Sequence, residues 1–188
     1  MTPEAYIDRY FDETREILGL LDLRAVAAAV ELLRKVRAEE GRLFILGVGG
    51  SAANASHAVN DFRKIGGMEA YAPTDNVAEF SARANDEGWE TTFSQWLRGS
   101  RLRSGDAVMV LSVGGGSPHA SPNLVGALEL ARERGAKVLG IVGRDGGATA
   151  RAADVCLLIP TVSEERITPH AESFQGVLWH LLVNALIQ

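Results

Sequence analysis

Four nearly unbroken apolar blocks, at positions 43–46, 107–112, 137–143 and 154–160, stand out from an otherwise amphipathic chain. Continuous apolarity over so few residues marks strands buried on both faces, as in a parallel sheet with helices on either side. The intervening stretches carry apolar residues at helical spacing and predict helices over about 51–64, 76–83, 89–97, 122–134, 148–153 and 168–188. A weaker fifth strand is read at 70–74, where Pro73 interrupts the ladder. Asn85-Asp86-Glu87-Gly88 reads as a turn. Strands alternate with helices, so the expected class is α/β. Crossovers should be right-handed, and a ligand should sit beyond the strand C-termini at a switch point in the strand order.

Two helices, over 3–19 and 22–39, precede the first strand. Tyr6, Ile7, Tyr10, Phe11, Ile17 and Leu18 form the apolar stripe of the first, and Val26, Val30, Leu32, Leu33 and Val36 that of the second. They have no strand of their own to cover. They therefore predict a helical hairpin packed on the rest of the domain or on another subunit.

Two of the strands end in loops of the same kind. After Leu46 comes Gly47-Val-Gly-Gly-Ser51, and after Ser112 comes Val113-Gly-Gly-Gly-Ser117-Pro-His-Ala-Ser121, each leading into a helix. A strand, a glycine turn and a helix N-terminus make an anion site, because free N–H groups and the helix dipole both face the ligand. Ser51 and Ser121 read as helix caps, with Pro122 in the first turn after Ser121. The first loop lacks the third glycine of a dinucleotide fingerprint and the lysine of a nucleotide P-loop. Two serine-bearing loops suit a small phosphate monoester instead.

His57 and Asp61 lie four apart, on one face of the helix that follows the first loop. As a pair they read as metal ligands, a proton-transfer couple or a solvated helix face. The last helix adds His170, Glu172, Gln175 and His180 to an otherwise apolar pattern, with His180 where a core residue is expected. Together, His57, Asp61, Glu172 and His180 offer borderline ligands suited to zinc or another divalent ion. His119 and His170 rank behind them as groups that touch substrate.

Composition narrows the classes. The 188 residues suffice for one domain, and 46% hydrophobic with 23% charged residues is ordinary for a soluble protein. A net charge of −5 argues against nucleic acid as a partner. No apolar stretch reaches ~18 residues and no basic-then-apolar leader opens the chain, so a cytoplasmic protein with no membrane partner is expected. The single Cys156 excludes an intrachain disulfide and reads as a buried core thiol.

The segment Gly47-Val-Gly-Gly-Ser-Ala-Ala-Asn-Ala-Ser-His57 resembles the Gly-Asn-Gly-Gly-Ser-Ala-Ala-x-Ala-x-His motif of the phosphoheptose isomerases, a branch of the sugar isomerase (SIS) domain superfamily. Ala84-Asn85-Asp86-Glu-Gly-Trp-Glu, Phe93-Ser94, the Gly143-Arg-Asp-Gly-Gly turn and the helix bearing His180 match as well. The resemblance covers nearly the whole chain. It implies a single SIS domain over 1–188, with a helical hairpin at 1–40 and an αβα core at 41–188. That core is a three-layer, flavodoxin-like sandwich around a five-stranded parallel sheet. It also implies a homotetramer with active sites at subunit interfaces, and a reaction that interconverts an aldose and a ketose phosphate through an enediol.

Carried over by position, the resemblance makes Asp61, His180 and Glu172 catalytic. Gly49, Gly50, Ser51, Asn54, Asp86, Ser112, Ser117 and Ser121 become contacts to substrate or phosphate. A zinc ion on His57, Asp61, Glu172 and His180 would polarise the carbonyl. Asp61 stands where the family has glutamate, and Glu172 where it has glutamine. The family loop Ser-Thr-Ser-Gly-Asn-Ser is here Ser112-Val-Gly-Gly-Gly-Ser117, and Ser117 and Ser121 compete for its last serine. The substrate expected is sedoheptulose 7-phosphate. A non-catalytic SIS protein that senses a sugar phosphate or binds a partner is the alternative, and a lyase or etherase of an amino-sugar phosphate is a third reading.

Overall fold

The computed structural model describes residues 1–188. Five strands, β1 (Leu43–Leu46), β2 (Ala70–Tyr71), β3 (Ala107–Ser112), β4 (Lys137–Val142) and β5 (Val155–Leu158), form one sheet in the order β2-β1-β3-β4-β5. Every pairing is parallel. Eight helices accompany them: α1 (Pro3–Leu20), α2 (Leu23–Ala38), α3 (Gly50–Lys64), α4 (Val77–Asp86), α5 (Thr92–Gly99), α6 (Pro122–Arg134), α7 (Gly147–Ala152) and α8 (Ile167–Ala185). None is long and apolar enough to cross a membrane.

The apolar blocks become strands buried on both faces, and their side chains alternate between two cores. Leu43, Ile45, Met109, Leu111 and Ile141 face one helical layer, built from α2, α3 and α8. Phe44, Leu46, Val108, Val110 and Val138 face the other, where α5 and α6 supply Phe93, Leu97, Leu124 and Ala127. Asp106, fully buried just before β3, accepts from the Arg42 amide at 3.0 Å and the Arg103 amide at 3.0 Å, and pairs with the Arg42 guanidinium at 2.7 Å. This aligns the N-terminal ends of β1 and β3, so Leu43 lies beside Ala107.

The chain leaves β1 outward to β2 and then returns to place β3 on β1's other side. The strand order therefore reverses between β1 and β3, and the two glycine loops leave those strands at their C-terminal ends.

Several elements depart from the sequence expectation. The fifth strand shrinks to Ala70–Tyr71, because Pro73 opens a 3-10 turn. The turn expected at 85–88 starts two residues late, as Asn85 and Asp86 complete α4. Trp89–Thr91 is a 3-10 turn ahead of α5. Cys156 is only half-buried, since β5 is an edge strand, and burial pushes its thiol up from the ordinary value. In the hairpin, α2 buries Val26, Ala29, Val30, Leu33 and Val36 in the first core. By contrast α1 buries only Glu13 and Ile17, leaving Tyr6, Ile7, Phe11 and Leu18 exposed.

Candidate active site

The site begins where β1 ends. Gly49 turns the chain with φ +64°, and α3 starts at Gly50 with no side-chain cap. Gly47 is needed because a Cβ there would collide with the Ser51 carbonyl. Ser51 is therefore not the cap but the second residue of the helix. Its hydroxyl is left without a partner although the residue is only 1% exposed. The Gly50 and Ser51 amides donate to no backbone carbonyl. An uncapped helix end with a buried, unpartnered hydroxyl is a site short of an acceptor.

The second loop is held from below by α7. The Thr149 amide and hydroxyl both donate to the Gly115 carbonyl, at 2.9 and 2.7 Å, and the Ala148 amide donates to the Gly116 carbonyl at 2.9 Å. Gly115 and Gly116 take φ +68° and +83°, and a Cβ at Gly115 would strike the Gly146 carbonyl. The loops after β3 and β4 thus pack backbone against backbone. Ser112 accepts from the Gly115 amide at 3.0 Å and keeps its own proton to donate. Ser117 accepts from the His119 and Ala120 amides and folds residues 117–120 into a tight turn. Ser121 leads into α6 in the left-handed region at φ +59° and makes no capping bond. Of the two serines in question, the Ser121 hydroxyl makes no hydrogen bond, while that of Ser117, like that of Ser112, only accepts and keeps its proton to donate.

These parts enclose a cleft of about 320 Å³ whose polar lining is Ser51, Ser112, Ser117, Ser121, Arg144 and Thr168, beside Val48, Gly114 and Gly116. Its side chains offer five hydroxyls that can donate and one formal charge, which is positive, an inventory suited to an anion. A larger hollow of about 580 Å³, between Arg132, Lys137, Arg151 and Asp154, lies at the N-terminal ends of β4 and β5, away from the switch point.

Two turns along α3, His57 and Asp61 meet His180 of α8. One ligand atom from each lies within 4.8 Å of the others. The His180 Nδ1 sits 2.7 Å from the Gly176 carbonyl. A carbonyl only accepts, so Nδ1 carries a proton and Nε2 is the nitrogen that faces the trio. That Nε2 is 3.8 Å from Asp61 Oδ2, while Asn60 donates to Asp61 Oδ1 at 2.8 Å. The His57 ring stands edge-on to Trp179, with centroids 4.7 Å apart. Two imidazoles and a carboxylate at this separation fit a divalent ion and leave its remaining positions open. Contrary to the core position expected from the apolar pattern, 47% of the His180 side chain is exposed, against 14% for Asp61.

Glu172 does not join the trio. Its carboxylate lies over Gly50, where a Cβ would come within 2.5 Å of it, at the positive end of α3. Helix geometry puts that point roughly 10 Å along α3 from His57. The four-ligand set read from the sequence is therefore three residues here, with Glu172 at the N-terminus of α3. Asn54 spends its amide on α8, donating to the Glu172 carbonyl at 2.9 Å and to Gln175 at 3.2 Å. It braces the two site helices against each other. Asp86 is exposed at the end of α4, accepts from Asn85, and lines neither cleft nor trio. His119 is exposed at the tip of the 117–120 turn.

His170 is buried elsewhere. It sits 2.9 Å from Glu13, which also takes two 2.8 Å hydrogen bonds from Arg166, tying α1 to α8. Arg144, Thr168 and the buried, unpartnered Gln175 Nε2 are site-side groups that sequence reasoning did not assign. The one sequence signal for Arg144 was its place in a glycine-rich turn at a strand C-terminus.

A family model described as SIS domain matches residues 9–143. The chain is 33% identical over 166 residues to a phosphoheptose isomerase of Geotalea daltonii, covering 86% of this chain and 82% of the relative. It is 32% identical over 193 residues to the lincomycin biosynthesis protein LmbN of Streptomyces lincolnensis, covering 96% of this chain and 68% of that protein. Among solved structures, the phosphoheptose isomerase GmhA from Neisseria gonorrhoeae superposes with a TM-score of 0.85 at 27% identity, over 99% of each chain.

Proposed function

The chain belongs to the SIS-domain family, in its phosphoheptose isomerase branch, and from that premise and the site geometry we infer an aldose–ketose isomerase that converts sedoheptulose 7-phosphate to D-glycero-D-manno-heptose 7-phosphate. The observation that carries this reading is one helix serving two chemistries. Its N-terminus offers the buried, unpartnered Ser51 hydroxyl to an anion, and two turns later it presents His57 and Asp61 to His180.

Phosphate in the cleft would accept from Ser51, Ser112 and Ser121 and from the first amides of α3. The sugar carbons would then extend along α3 toward the trio. A carboxylate, Asp61 or Glu172, removes the proton beside the carbonyl. His180 Nε2 carries protons between the two oxygens only while no ion occupies it, since the same lone pair is the one that would ligate a metal. His57, Asp61 and His180 would hold a divalent ion such as zinc, whose chemistry when bound is to polarise the carbonyl. Glu172 lies roughly 10 Å along α3 from His57, so Asp61 is the carboxylate within reach of a carbonyl placed at the trio. The retained trio speaks against a non-catalytic SIS protein.

We propose further that the active unit is a homotetramer and that residues 1–188 act as one SIS domain. The uncovered apolar stripe of α1, with Val177 and Leu181 exposed beside His180, supports burial against another copy. The packing of α2 into the core supports a hairpin integral to the domain.

The test is incubation with sedoheptulose 7-phosphate, with added zinc and after chelation, following the aldose phosphate. Turnover that His180→Ala abolishes and His119→Ala spares is expected. Absence of turnover under all conditions, with other ketose phosphates also inert, would refute the isomerase.

A further inference from the structure

We propose that Arg144 is the charge-reading element of the phosphate cleft, a binding residue that reaches the phosphoryl group across the gap left by Gly114. The proposal rests on the cleft being the phosphate subsite of the isomerase. Four observations converge on this residue.

First, Arg144 lines the same cleft as the unpartnered Ser51 hydroxyl and brings its only formal positive charge. Second, that charge is unspent. Lys137 is tied to Asp154 and Arg166 to Glu13, whereas Arg144 pairs with no carboxylate. Its neighbour Asp145 is turned to the Gly147 amide, 3.1 Å away. Third, Arg144 is held in the left-handed region at φ +52°, in a turn whose other left-handed positions, 146 and 147, are glycines. A side chain with a Cβ is strained there, and such strain persists where surrounding structure requires it, commonly at ligand sites. The requirement is visible: Gly143 packs against the Val113 carbonyl and Gly147 against the Gly114 carbonyl. The turn is therefore locked to the phosphate loop and carries Arg144 with it.

Fourth, Gly114 has no backbone reason to be glycine, because its φ is not in the positive range. The one atom a Cβ there would meet is Cδ of Arg144, at 3.7 Å. A bulkier residue at 114 would occupy the space beside the arginine stem. The loop after β3 thus has no side chain where the arginine passes. Its short supply of hydroxyls is made good by a guanidinium whose planar fork matches phosphate oxygens.

The test uses inorganic phosphate as the probe, titrated calorimetrically into the whole chain, with KM for the sugar phosphate measured in parallel. Arg144→Asn is the informative variant, because asparagine tolerates the left-handed backbone and removes the charge without new strain. Arg144→Lys restores the charge without the fork. The expected result is a dissociation constant for phosphate raised at least about tenfold in Arg144→Asn, with KM rising alongside and Arg144→Lys falling between. Thermal melting without phosphate should match the parent chain. Phosphate affinity in Arg144→Asn within about twofold of the parent, while Ser51→Ala loses it, overturns the arginine assignment and leaves the phosphate cleft standing. A parent chain that binds no phosphate overturns both.

Discussion

Replacing Ser51 with alanine should separate binding from folding, because the hydroxyl is a liability to the empty protein and an asset to the bound one. Ser51 is 1% exposed, and its Oγ has no partner. A buried hydroxyl left unbonded costs about 1–3 kcal/mol. Alanine removes that cost, fits the same space, and is the better helix former in the first turn of α3. The free Ser51→Ala protein should therefore be as stable as the parent or more so by about 1 kcal/mol, roughly 2–4 °C in Tm for a chain of this size. Binding moves the other way. A hydrogen bond to a charged acceptor is worth about 1.5–3 kcal/mol, so the phosphate dissociation constant should rise on the order of 10- to 100-fold. Added phosphate should then raise the Tm of the parent far more than that of the variant. The assays are thermal melting with and without phosphate and a calorimetric titration. A free variant that melts more than about 2 °C below the parent, or a phosphate affinity unchanged within about twofold, would show that the hydroxyl has a protein partner and that the cleft is not an anion site.

Other consequences are equally measurable. Zinc titrated into the chelated chain should bind through the trio, and His57→Ala or His180→Ala should each weaken it at least about tenfold, whereas Glu172→Gln should leave it nearly unchanged; a large loss in Glu172→Gln would return Glu172 to the ligand set. Ser121→Ala should weaken phosphate about tenfold with melting unchanged, whereas Ser117→Ala should weaken phosphate and also lower the Tm of the free chain, because the Ser117 oxygen accepts from the 117–120 turn while its proton stays free for an anion; a Ser117→Ala chain that melts like the parent would remove the turn from the account. The Arg166 guanidinium, with help from His170 and Arg9, holds the Glu13 carboxyl down from 4.5 to about 2. A carboxyl whose folded pKa is depressed stabilises fully above its unfolded value and loses that contribution as pH falls. Urea melts should therefore show stability dropping from about pH 4.5 towards pH 2, and Glu13→Gln, less stable at neutral pH, should lack that part of the slope; an identical slope in the variant would remove Glu13 from the account.

Much of this protein could be read along the chain, wherever one local rule decided the outcome. The apolar blocks became strands because residues buried on both faces leave no polar alternation to misread; the two edge strands are shorter than the pattern predicts, Ala70–Tyr71 for 70–74 and Val155–Leu158 for 154–160. Residues 47–51 and 113–121 became donor-rich turns because glycines at those spacings have little other use. His57 and Asp61 share a face of α3 because helical spacing alone dictates it.

What only the tertiary structure decided is where groups far apart in sequence spend their hydrogen bonds. Asn54 donates its amide to α8, His170 is captured by Glu13 from 157 positions away, and Glu172 settles over Gly50 and not among the trio. A helix that starts one residue early turns Ser51 from a cap into a free donor. Arg144 enters the cleft only because the loops after β3 and β4 pack backbone to backbone, which follows from the strand order and from no local pattern. Periodicity fixes which face a residue is on. The partner it meets there depends on how the layers pack, and in this chain that packing separates the groups that hold structure from those left free for a substrate.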